Sequence, residues 1–98
     1  MDKLPCVYLM TNARNGILYI GVTSNLHKRV WEHRNHVVEG FTKQHHLTKL
    51  VYFEMHSSMY QAITREKQLK NWQRQWKIEL IEQTNPYWRD LWEDICGN

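Results

Sequence analysis

The sequence predicts an α+β fold, a small three-stranded antiparallel sheet flanked by helices in the order β-β-α-β-α-α. Three observations carry that prediction. The runs CVYLM, ILYIGV and KLVYFEM are short, apolar and rich in β-branched and aromatic residues, as strands are. TNARNG, between the first two, contains an Asn-Gly pair, the local signature of a hairpin. Elsewhere apolar residues recur at intervals of three and four, the period of a helix with one buried face.

In chain order, residues 6–10 form a buried strand and residues 11–16 the turn. Residues 17–22 return antiparallel, with Ile17, Tyr19 and Gly21 on one face and Leu18, Ile20 and Val22 on the other. Thr23 or Ser24 is the expected N-cap of the helix that follows. Residues 40–46 read as a polar, histidine-rich loop and residues 49–55 as the third strand. Ser57 or Ser58 is expected to start one long helical segment running to about Gln83. Asn85-Pro86 has the form of an N-cap and first helical residue, opening a last helix to about Ile95. Trp88 and Trp92, four apart, are its expected docking face.

A chain of 98 residues, 42% apolar and 23% charged, is expected to form one domain spanning 1–98. No apolar run is long enough to span a bilayer, and MDKLPC lacks the apolar region of an export signal. A cytoplasmic protein with free thiols at Cys6 and Cys96, and no membrane partner, is therefore expected. The net charge of +3 is uneven: Arg65, Lys67, Lys70, Arg74 and Lys77 face Glu66 alone. Such a block suits a polyanion, with Lys67, Lys70 and Arg74 as phosphate contacts.

Two helices carry polar groups where apolar ones are expected. In the first, Leu26, Val30 and Val37 define the inward stripe; His33 falls inside it and Arg29 beside it. In the long segment, Met59, Ala62, Ile63 and Leu69 form the stripe, and Glu66 lands in its middle. A carboxylate there is costly unless it is paired or bound to a cation. A Glu66–Arg29 salt bridge beside a core histidine would account for these residues structurally. Their convergence on one small sheet, with Tyr8 and Tyr19 from paired strands, argues for a site.

The inventory favours phosphodiester hydrolysis. The serines sit at helix starts, no second acid accompanies Glu66 for glycosidase chemistry, and His36, His45 and His46 lack zinc-site spacing. One carboxylate can hold a Mg²⁺ that keeps most of its waters, and an arginine can grip phosphate oxygens. A tyrosine can act as base if its proton is pulled off, since only about one phenol in a thousand is ionised at neutral pH.

Cys6-Val7-Tyr8, eleven residues before the tyrosine of Tyr19-Ile20-Gly21, resembles the paired signature of the GIY-YIG nuclease superfamily. Arg29-x-x-x-His33, Glu66 in REKQLKNW and Asn85 in QTNPYW continue the pattern in order. The likeness is greatest to small, single-domain bacterial proteins related to the nuclease domain of the excision-repair incision enzyme. It implies a DNA endonuclease acting on structured or damaged DNA, structure-selective in repair or recombination. It also implies Glu66 as the lone protein ligand of Mg²⁺ or Mn²⁺ and Arg29 on the scissile phosphate. Tyr19, or Tyr8 in some members, would activate the water, and Asn85 would order the site. Cys6 replaces the first glycine, and Val22 stands where several members carry lysine. His33, four after the arginine as in other branches, is expected to take the lysine's place. The alternative is a nucleic-acid-binding module that kept the fold and lost the chemistry.

Overall fold

A computed structural model describes residues 4–38 and 40–97. Residues 1–3, half of the MDKLPC stretch, lie outside them. Strand β1 (Cys6–Thr11) pairs antiparallel with β2 (Leu18–Thr23) on one side and β3 (Lys49–Met55) on the other, giving the order β2-β1-β3. Helices α1 (Leu26–Arg34) and α2 (Phe41–Gln44) follow β2. Helices α3 (Met59–Asn71), α4 (Arg74–Thr84) and α5 (Trp92–Ile95) follow β3. This is the predicted α+β architecture.

The alternation of β1 divides the core in two. Val7 and Leu9 point to one face, where Ile20 and Val51 meet Ala62 and Leu69 of α3, Ile81 of α4 and Trp88. Cys6, Tyr8 and Met10 point to the other, against Leu26 and Val30 of α1 with Leu47 and Leu50. The faces expected for β2 are the observed ones: Leu18, Ile20 and Val22 pack on the first, Ile17 and Tyr19 on the second. The register slips between Leu9 and Met10, leaving Val51 without its own partner. A bulge of this kind turns Val51 and Tyr52 to the same face, which strict alternation would forbid.

Several local expectations need correction. The N-cap of α1 is Asn25, whose side chain accepts from the Lys28 amide; Thr23 instead braces Asn25. The histidine-rich loop contains α2, too short to show a period. The long helical segment breaks at Trp72 and Gln73, both extended. An unbroken helix over those residues would reach about 39 Å, beyond the longest extent of 32 Å. The break brings Leu69 and Ile81 into one core. Lastly, Asn85 caps the end of α4 and starts no helix. Trp88 adopts a left-handed backbone, and α5 begins only at Trp92. Trp88 and Trp92 therefore sit on opposite faces of the sheet and share no docking surface.

Candidate active site

The site grows from the middle strand. Tyr8 lies opposite Gly21 in the β1–β2 register. A Cβ at position 21 would stand 2.5 Å from both Cζ and the hydroxyl oxygen of Tyr8, so only glycine lets the phenol lie across β2. From α1, Leu26, Val30 and His33 are the buried residues, spaced along one face. That face brings His33 Nε2 to 2.9 Å from the Tyr8 hydroxyl. The other ring nitrogen, Nδ1, is 3.0 Å from Oγ1 of Thr42 in α2. Tyr19 completes a triangle of rings, its centroid 6.3 Å from that of Tyr8 and 5.7 Å from that of His33.

Two charges reach this triangle. Arg29 is half-buried beside His33 on α1 and pairs, among the described residues, with Glu32 at 3.6 Å. Glu66, on α3, keeps 15% of its side chain exposed and pairs with Lys70 at 3.1 Å. The Glu66–Arg29 bridge that would have accounted for these residues structurally is absent: each takes a partner from its own helix, because neighbours at i+3 and i+4 are already within reach. Both charges still act on Tyr8. Burial, then the neighbouring Tyr19, pushes the Tyr8 phenol well above its ordinary value; Glu66 adds to that and Arg29 partly offsets it. Burial first and Arg29 second lower the His33 imidazole to about 4, so at neutral pH it is uncharged.

Arg29 also lines a polar cleft of about 220 Å³ with Thr23, Ser24, Asn25, Lys28 and Glu32. Among the described residues no group of three or more His, Cys, Asp and Glu is gathered to hold a metal. A cation held at Glu66, as the resemblance implies, would draw most of its shell from water and phosphate oxygens. That donor set fits Mg²⁺ or Mn²⁺ and not a structural zinc site.

The structure thus brings Tyr8, Tyr19 and His33 together, with Arg29 and Glu66 in electrostatic reach. It does not bring Asn85. That amide donates to the carbonyls of Val51 and Arg89 and accepts from the Arg89 amide, joining the chain after α4 to β3. Of the expected phosphate contacts, Lys67 is exposed, Lys70 is held by Glu66, and Arg74 donates to the carbonyls of Asn15 and Gly16 in the hairpin. Val22 packs against the core on the α3 face, leaving no cation at that position. Thr42 escaped the sequence reading, since a four-residue helix leaves no periodic trace. The steric demand on Gly21 is visible only once Tyr8 and β2 are paired.

Residues 4–79 match the GIY-YIG catalytic domain. With this fold and this ordered set of side chains, the chain belongs to the GIY-YIG family, a family of nucleases. Within it, the chain is similar to small bacterial proteins called UPF0213. That of Staphylococcus saprophyticus is 34% identical over 83 residues, covering 85% of this chain and 99% of the relative. That of Syntrophus aciditrophicus is 40% identical over 70 residues, covering 70% and 79%. That of Clostridium perfringens is 36% identical over 75 residues, covering 76% and 80%. No solved structure matches the chain significantly.

Proposed function

We propose that this protein is a divalent-metal-dependent endonuclease that hydrolyses DNA phosphodiester bonds, with Glu66 holding one Mg²⁺ or Mn²⁺ ion. The observation that carries the reading is the meeting of Tyr8, Tyr19 and His33 under the charges of Arg29 and Glu66, brought from two helices on opposite faces of the sheet. Structured or damaged DNA is the proposed substrate, on the likeness to the excision-repair nuclease domain.

Tyr19 is the phenol assigned to the attacking water. It is half-buried, and no side chain of the described residues hydrogen-bonds its hydroxyl. Tyr8 is sealed at 2% exposure and its oxygen is taken by His33, so it stays a neutral phenol that fixes the Tyr19 ring. Arg29, exposed on the cleft side, grips the scissile phosphate and stabilises charge that grows on its oxygens. Neutral His33 holds Tyr8 without adding a second cation against Arg29. Bound at Glu66, the metal would supply Lewis-acid polarisation of the phosphate and of its coordinated water.

Flapped, branched and nicked DNA incubated with Mg²⁺ or Mn²⁺ tests this. The wild type is expected to cleave; Glu66→Ala and Tyr19→Phe are expected to lose at least 100-fold, order of magnitude, and Tyr8→Phe less. Equal cleavage by Glu66→Ala would remove the reading. Val22, packed where the resemblance expects a lysine, favours the second one: a DNA-binding module without chemistry. It predicts salt-sensitive binding that Glu66→Ala leaves unchanged and no cleavage with either metal.

A further inference from the structure

We propose that Thr42 is a positioning residue of this site: its hydroxyl accepts the Nδ1 proton of His33, and so helps hold the imidazole in the tautomer whose Nε2 takes the Tyr8 phenol. The proposal rests on the nuclease reading and adds to it a residue that no motif marks.

A neutral imidazole has one donor nitrogen and one acceptor, and its partners choose between them. Here the partners are two hydroxyls, Tyr8 on Nε2 at 2.9 Å and Thr42 on Nδ1 at 3.0 Å. Tyr8, His33 and Thr42 are 2%, 3% and 4% exposed, so bulk water cannot replace either hydroxyl. A phenol is the stronger acid of the two and takes the acceptor nitrogen. Nε2 therefore accepts from Tyr8, and Nδ1–H donates to Thr42. The opposite tautomer would aim Nε2–H at the Tyr8 oxygen and strip a buried phenolic proton of its acceptor.

Thr42 is itself held firmly. Its carbonyl accepts from the Leu47 amide at 2.9 Å, and Leu47 is wholly buried among the residues under α1. A β-branched side chain on a helix also has few rotamers to escape into. The chain Thr42–His33–Tyr8 consequently ties α2 to the middle strand across the end of α1. Thr42, buried away from bulk water, acts through the imidazole.

Imidazole ¹⁵N spectra of the wild type, Thr42→Val and Thr42→Ser test the proposal, beside steady-state cleavage. The wild type is expected to show His33 protonated at Nδ1. Thr42→Val, which leaves Nδ1–H without an acceptor, is expected to populate the Nε2–H tautomer beside the Nδ1–H one and to lower kcat about tenfold with KM unchanged; Thr42→Ser is expected to restore both. A wild-type spectrum with the proton on Nε2 overturns the proposal, even if Thr42→Val does not fold. So does a Thr42→Val spectrum unchanged from the wild type, or a Thr42→Ser variant that stays impaired. If the wild type cleaves no DNA, the nuclease reading fails alone, because the spectra still decide what Thr42 does.

Discussion

His33 is uncharged in the folded chain down to about pH 4, because burial and Arg29 both disfavour the imidazolium. An unfolded chain takes up that proton near pH 6.5. Between the two values the unfolded state binds more protons, so acid pulls the equilibrium toward unfolding. Stability is therefore expected to fall as pH drops from about 6.5 to 4, by about 2 to 3 kcal/mol. His33→Gln should flatten that slope while keeping a partner for Tyr8. Denaturant midpoints measured at half-unit pH steps check this. Glu54 contributes only at lower pH. Burial alone would raise its carboxyl, but bonds from Tyr52, Arg65 and His56 hold it below the ordinary range. Cys6, pushed up to about 12 by burial, stays a thiol throughout.

At the scale of elements, the link between α4 and β3 depends on one amide. Asn85→Ala would remove three hydrogen bonds, two of them to the Val51 and Arg89 carbonyls. A loss of about 2 kcal/mol in urea unfolding is expected, with cleavage by the remaining folded protein unchanged. A drop in kcat as large as that of Glu66→Ala would return Asn85 to the chemistry. The break between α3 and α4 has a similar local logic. Trp72 tucks beneath Arg65, whose guanidinium lies 5.1 Å from the ring centre and also binds Glu54 at 2.7 Å. Those contacts fix the rotation of α3, and with it the direction in which the next residue, Glu66, leaves the helix.

For the whole molecule, the basic block has less charge to offer DNA than its composition suggests. Arg65 is bound to Glu54, Lys70 to Glu66, and Arg74 to two hairpin carbonyls. Lys67 remains exposed. Fluorescence anisotropy with labelled duplex across a salt series separates these roles. Lys67→Ala is expected to reduce the slope of log K against log salt by about one. Arg74→Ala is expected to leave that slope intact and lower stability instead, through the freed hairpin. Equal slopes for Lys67→Ala and the wild type would remove Lys67 from the DNA path. Among the described residues no helix is long and apolar enough to cross a membrane.

The residue pattern by itself determined the strands, their antiparallel hairpin, the division of β2 into two faces and the inward direction of His33. Period-two and period-four spacing is a local property that the chain carries wherever it folds. It also placed Glu66 on α3 and, through an ordered set of short motifs, pointed to the family. Tertiary structure decided the rest, for reasons of space and competition. The helix after β3 breaks at Trp72 and Gln73, and the break lets Leu69 and Ile81 meet in one core. Asn85 turned from helix opener to strand clamp because a buried carbonyl of β3 claimed its amide. Arg29 and Glu66 took partners on their own helices, Gly21 made room for a ring from the neighbouring strand, and Thr42 met His33 from a helix one turn long. None of these contacts has a spacing rule, since each depends on which distant groups the packed core leaves within reach.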